Sequence, residues 1–252
     1  MTHISRRHAL AALGSAGLGG LLAACRNGGD GGGASITTAS TTTPAGSETG
    51  AGAGTPAAPG AGRDLAARFE EAGTCRVTPE QTEGPYHIDV DRIRSDIRDG
   101  RPGLPLRVGV RVLDEECRPI PDAVVELWHC DGDGVYSGFG DGGGETFLRG
   151  GQVTGAEGIA EILTIYPGWY PGRTVHVHTK VHLGNREVLT TQLYFDDEVS
   201  DTVFASTSPY DGHPGRDVTN ADDVIFQGDN LLTLSPEGDG WLGLITLTVD
   251  RG

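Results

Sequence analysis

Two histidines one residue apart close the run Tyr166-Pro-Gly-Trp-Tyr-Pro-Gly-Arg-Thr-Val-His-Val-His178. If this segment is extended, successive side chains point to opposite faces. His176 and His178 then share one face, and Val175 and Val177 share the other. Two neutral imidazoles on one face can hold one metal ion. A His-x-His pair alone does not make a metal site, because the motif needs further donors within reach. The chain offers two phenols. Tyr170 follows a bent Pro-Gly run just upstream, and Tyr136 follows the glycine turn beyond Trp128-His129. A phenol titrates near 10 in water, and a strongly charged cation stabilises its anion. Two phenolates offset two units of charge, so the set Tyr136, Tyr170, His176 and His178 suits a trivalent ion better than zinc or magnesium. Oxygen anions with imidazoles point to non-haem Fe(III). His182 shares the parity of the histidine pair and is the substitute ligand. Lys180 shares it too and is expected to reach solvent. His129 reads as structural.

Strands must position these groups. Leu106, Val108, Val110 and Val112 alternate with Arg107, Gly109 and Arg111, the pattern of a half-buried strand. A breaker-rich turn over 114–122 leads to a returning strand at 123–129, and glycine turns follow at 131–134 and 140–144. Further strands are expected at 159–166, 174–182, 187–195 and 241–249. Gln192 shares parity with Thr190 and Tyr194, so those three should line one face. Short strands between Gly/Pro turns predict an all-β fold, an antiparallel β-sandwich with long loops and little helix. Only Asp89 to Arg98 suggests a short helical turn.

The first 25 residues read as an export signal rather than fold. Arg6-Arg7 is a twin arginine, and Ala9 to Ala24 is a weakly apolar run too short to span a bilayer comfortably. Leu22-Ala23-Ala24-Cys25 has the form of a lipoprotein cleavage box. Cys25 would then be lipidated, giving a cell-envelope lipoprotein, with plain secretion as the alternative. Residues 26–63 are Gly, Ala, Ser, Thr and Pro, which cannot bury enough surface to offset ordering. They read as a flexible tether of about 35 Å root-mean-square reach, leaving 64–252 as one domain. The chain carries 35 acidic residues against 19 Lys and Arg, a formal charge of −16. That balance argues against nucleic acid or an anionic membrane face as partners. Beyond Cys25 stand Cys75, Cys117 and Cys130. A strand separates Cys117 from Cys130 by roughly 30 Å, far beyond the ~7 Å that a disulfide tolerates. One bridge containing Cys75 and one buried thiol are expected.

Four stretches together carry a more specific signal. Glu83-Gly-Pro-Tyr86, Val124 to Ser137, Tyr170 to His178 and Leu189-Thr-Thr-Gln192 resemble the intradiol ring-cleavage dioxygenases, in order and with that family's spacing across nearly all of 75–250. Cys75, Cys117 and the Trp-His-Cys run look like those of exported members. The resemblance implies Fe(III) held by Tyr136, Tyr170, His176 and His178. It implies a catechol-type substrate that binds as a dianion and displaces Tyr170, with O2 opening the ring between the hydroxyl-bearing carbons to a muconate-type diacid. It assigns Arg173 to stabilising negative charge on the substrate and Gln192 to a polar role beside the reacting oxygens. It implies a homo-oligomer without saying which. Tyr86, Val135 and Trp169 are candidate pocket walls, and 208–216 suggests a lid or a dimer contact. The competing reading is a non-catalytic β-sandwich binding module of the transthyretin-like or carboxypeptidase-associated type. Such a module has no reason to keep two tyrosines beside His-x-His.

Overall fold

The structure, a computed structural model, describes residues 63–69, 75–213 and 215–252. The export signal, the lipid anchor at Cys25 and the tether up to residue 62 lie outside the described residues. Two four-stranded sheets face each other. The first runs β4 (Ile159–Ile165), β1 (Pro105–Leu113), β8 (Gly240–Thr248), β7 (Thr233–Glu237). The second runs β3 (Arg149–Val153), β2 (Ala123–Trp128), β5 (His176–Leu183), β6 (Arg186–Tyr194). The expected all-β sandwich is what forms, and every neighbouring pair is antiparallel except one. β1 and β8 run parallel, with Leu106 opposite Trp241 and Leu113 opposite Thr248.

Alternation builds the core. Leu106, Val108, Val110 and Val112 of β1 meet Ala123, Val125 and Leu127 of β2, Val177 and Val181 of β5, and Leu189 and Leu193 of β6. These residues are at most 2% exposed, and their removal from water is the main driving force for the fold. The outer face of the second sheet therefore carries the other parity: Trp128 and Glu126 on β2, His176, His178, Lys180 and His182 on β5, Gln192 and Tyr194 on β6. In register, Trp128 lies opposite His178, and β6 sets Gln192 opposite His178 and Tyr194 opposite His176.

Three local expectations are corrected. Asp89 to Arg98 is not helical. It runs over the sheets through bridges from Ile93 to Gly151 and from Asp96 to Leu163, because pairing with existing strand edges satisfies its backbone better than one isolated turn could. Beyond the four-residue α1 (Arg63–Ala66), a ten-residue helix does form, α2 (Asp197–Ser206). Asp196 caps it by accepting from the N–H groups of Glu198 and Val199, and it buries Val203 and Phe204 against Tyr166 and Tyr210. Lys180 does not reach solvent. It is 6% exposed and lies between the carboxylates of Glu83 (2.7 Å) and Glu187 (2.8 Å), which compensate its burial. Cys75 and Cys117 form the disulfide, and Cys130 is the free, buried thiol among the described cysteines.

Candidate metal centre

The outer face of β5 is covered rather than open. Two loops and the 75–87 segment close over it. The 131–136 turn and the 166–173 run approach backbone to backbone, and two glycines permit it. A Cβ at Gly134 (φ +82°) would sit 2.4 Å from the Trp169 carbonyl oxygen, and one at Gly168 would sit 2.3 Å from that of Asp131. Side chains at either position would push the loops apart. Tyr136 and Tyr170 are thereby brought together, with ring centroids 5.7 Å apart. The second loop is also held from behind. Tyr210 Oη donates to the Tyr166 carbonyl (2.6 Å), and Tyr166 Oη bonds Ser200 of α2 (2.8 Å). The 208–213 stretch lies against the same run: His213 stacks on Trp169 at 4.3 Å, and its carbonyl accepts from the indole N–H.

Within this enclosure four side chains converge. His176 Nε2 lies 3.1 Å from His178 Nε2 and 3.1 Å from Tyr170 Oη. The Tyr136 ring is 6.2 Å from that of His178, and its Oη is buried with no hydrogen-bond partner. His176 Nδ1 donates to the Thr174 carbonyl (2.7 Å), which leaves the Nε2 lone pair facing the cluster. Trp128 stacks on His178 at 5.0 Å, nearly parallel, and fixes that ring. Burial, and then the Arg173 cation, lower the His176 pKa to about 3. Burial and His176 push His178 well below its ordinary value. Both imidazoles are therefore neutral at pH 7. Burial first, then the Cys130 thiol and the Tyr170 phenol, raise Tyr136 well above 10. Tyr170 is raised to about 12, again chiefly by burial.

These observations test whether a metal fits. Two nitrogens that share one ion at about 2.1 Å must lie within about 4 Å of each other, as the Nε2 atoms do. Tyr136 Oη is buried without a partner, a cost of about 1–3 kcal/mol for an unsatisfied group, and the neutral His176 and His178 turn their Nε2 atoms towards each other with Tyr170 Oη beside them. One cation among them would satisfy Tyr136, Tyr170, His176 and His178 together. Among the described residues no three His, Cys, Asp or Glu side chains gather to hold a metal. His182 stands apart from it, with its Nε2 3.5 Å from Glu126. His129 is fully buried between the Cys130 carbonyl and the Thr164 hydroxyl, and its role is packing.

Arg173 and Gln192 also meet here. Arg173 Nη2 donates to Gln192 Oε1 (2.6 Å), and Gln192 Nε2 donates to the Thr82 carbonyl (2.9 Å). Tyr86 stacks on Tyr136 at 4.4 Å and meets Phe139 and Tyr170 edge-on, so the shell around the donors is aromatic. Val135 instead packs with Phe147, Leu148 and Ile165. Sequence reasoning missed Asp223, which binds Arg173 Nε at 2.8 Å. No local pattern could have marked it, since fifty residues separate the pair. A cleft of about 590 Å³ lies farther along the same outer face, lined in part by His87, Glu126, Lys180 and His182 and by none of the four donors.

A family model described as "Dioxygenase" matches residues 78–211. The solved structure of an intradiol ring-cleavage dioxygenase from Tetranychus urticae is 35% identical, with a TM-score of 0.66, over 70% of this chain and 95% of that one. The dioxygenase domain of a dioxygenase and carbohydrate-binding protein fusion from Streptomyces sp. SirexAA-E is 33% identical, with a TM-score of 0.56, over 70% of this chain and 100% of that one. The chlorocatechol 1,2-dioxygenase of Cupriavidus pinatubonensis is 30% identical over 153 residues, 52% of this chain and 57% of that protein. The chain spans about half the length of the curated relatives it matches.

Proposed function

This chain belongs to the intradiol ring-cleavage dioxygenase family, and on that premise we propose that it opens a catechol-type ring between its two hydroxyl-bearing carbons. Both atoms of O2 enter the product, a muconate-type diacid. The observation that carries the reading is the convergence of Tyr136, Tyr170, His176 and His178 in a closed aromatic shell, with Tyr136 Oη buried and unpartnered. Fe(III), when held by these four residues, supplies a Lewis acid that draws electron density from a bound catecholate and fixes its orientation.

The rest is done by the chain. The neutral imidazoles contribute lone pairs without first losing protons. Tyr170 Oη, whose pKa in this environment is about 12, takes up a proton from an incoming catechol hydroxyl, because a phenolate released into a buried site is a strong base. Tyr136, the more deeply buried phenol, stays in place. Arg173 presents a fixed cation beside the pocket, where negative charge develops on the ring as it reacts, and such preorganised charge is worth most where water is excluded. Gln192 holds Arg173 in that pose. Tyr86, Phe139 and Trp169 exclude water around the donors.

Export of the domain and its anchoring through a lipid at Cys25 are part of the same proposal. They are supported by Arg6-Arg7, by Leu22-Ala23-Ala24-Cys25 and by a disulfide, which persists in oxidising compartments. The deciding measurement is a visible spectrum of the purified chain, before and after catechol is added. A broad phenolate-to-iron band that shifts with catechol, followed by oxygen uptake, is the expected outcome. A protein that stays colourless after loading with iron overturns the ligand assignment.

A further inference from the structure

We propose that Asp223 is a positioning residue for Arg173, a buried carboxylate that locks one edge of the guanidinium so that the remaining Nη1 amine serves the reacting substrate. The inference rests on the reading of Arg173 given above.

Asp223 is 6% exposed, and its side chain is fully buried. Both oxygens are saturated. Oδ2 accepts from Arg173 Nε and from the Thr174 backbone N–H, each at 2.8 Å. Oδ1 accepts from the backbone N–H groups of Ile225 (2.8 Å) and Phe226 (3.0 Å). Burial alone would raise its pKa, but Arg173 and the backbone donors hold it below the ordinary carboxylate value. The carboxylate therefore stays charged and keeps all four bonds.

A guanidinium is a planar fork, with Nε–H and Nη2–H along one edge. Asp223 takes Nε and Gln192 takes Nη2, so that edge is fully engaged and the plane of the fork is set. Tyr194, whose hydroxyl also reaches Gln192 Oε1 (3.3 Å) and Gln81 (2.9 Å), closes the network. A free arginine samples many rotamers, and these contacts select one before the substrate arrives. Preorganisation of this kind acts on the transition state rather than on substrate binding. The site is built across the fold. Thr174 Oγ1 donates to Asn220, and Asn220 Nδ2 donates to the Phe195 carbonyl, so the loop carrying Asp223 is tied to the end of β6.

Asparagine at 223 cannot reproduce this arrangement. Its amide offers one acceptor oxygen where two are used, so either Arg173 and Thr174 or Ile225 and Phe226 would face an NH2 group. The test compares Asp223→Asn, Arg173→Ala and the double variant in the full chain. For Asp223→Asn we expect an unchanged iron content and phenolate band, a Kd for catechol without O2 within threefold of the parent, and kcat lowered 10- to 100-fold. In the Arg173→Ala background the same substitution should change kcat by less than twofold, because Asp223 acts only through Arg173. An equal loss of kcat in both backgrounds, or no loss in either, overturns the proposal. A second measurement needs no variant at 223 and no turnover: hydrogen exchange of the Arg173 Nε–H, followed by nitrogen-edited NMR in protein stripped of iron, with the resonance assigned by its disappearance in Arg173→Lys. Slow exchange supports the lock. Exchange as fast as that of an exposed arginine overturns it, even in a chain that proves to have no dioxygenase activity.

Discussion

Tyr136 Oη is a polar atom shut away from water with nothing to bond. Its removal should therefore have opposite effects on the two states of the protein. In iron-free protein, Tyr136→Phe deletes an unsatisfied hydroxyl and should leave stability unchanged or raise it by about 1 kcal/mol. In loaded protein it deletes a ligand and should abolish the phenolate band or weaken iron retention at least tenfold. Thermal unfolding of stripped protein and iron analysis after dialysis separate the two effects. A large loss of stability in the stripped protein would mean that the hydroxyl has a partner after all. At this scale much was legible. The types and spacing of Tyr136, Tyr170, His176 and His178 carry their own chemistry, and strand parity alone puts the imidazoles on one face and Gln192 with Tyr194 on another strand of it. The supporting residues were not legible. Asp223 and Thr82 reach the site through side-chain and backbone bonds from distant loops, and Glu126 was an ordinary polar position of a half-buried strand.

At the scale of elements, β2, β5 and β6 extend the outer face past the four donors into a row of charged groups. Glu126 sits between His87 (3.1 Å) and His182 (3.5 Å). Burial opposes its ionisation, but hydrogen bonds from His182 and His87 overcome that and lower its pKa to about 2 from 4.5. A carboxyl depressed in the folded state stabilises the fold fully above pH 4.5, and the contribution disappears as pH falls towards 2. The shift corresponds to roughly 3 kcal/mol. Glu126→Gln should therefore cost stability at pH 7, and its deficit relative to the parent should close between pH 4.5 and pH 2. Urea unfolding across that range checks it, and a pH-independent gap would sink it. Which elements could be foreseen follows from what marks them locally. β1, β5 and β6 have one apolar and one polar face, so their alternation shows. β3 contains Gly150 and Gly151, and β7 contains Pro236, residues that argue against strand on propensity. They become strands because a neighbour supplies the pairing. α2 has its cap in Asp196 and only Val199, Val203 and Phe204 as an apolar stripe, too little to declare a helix without the Tyr166 and Tyr210 surface it covers.

For the whole molecule, the 75–87 segment is the roof of the site. Thr78 N–H bonds the Thr248 carbonyl, Gln81 N–H bonds that of Thr190, and Gly84 packs against His178. The Cys75–Cys117 disulfide fastens the start of this roof to the turn between β1 and β2. Closing a loop of 42 residues stabilises by roughly 4 kcal/mol in the chain-entropy model. Cys75→Ser with Cys117→Ser should lower the unfolding free energy by about that much or somewhat less in urea titrations, and reductant should leave the variant unaffected while destabilising the parent. Equal stability of the two oxidised proteins would mean that the roof is held by its backbone bonds alone. The parallel pairing of β1 with β8 bears on how such a molecule is made. On the ribosome, β1 emerges early and waits with one edge unpaired until Gly240–Thr248 follows it out of the exit tunnel. Thr78 waits as well, since its partner Thr248 belongs to that same strand. The pocket therefore cannot be finished before β8 has emerged. Roof and β8 then dock together, as one late and cooperative event, and a chaperone that shields the open edge of β1 would have the most to protect until β8 arrives.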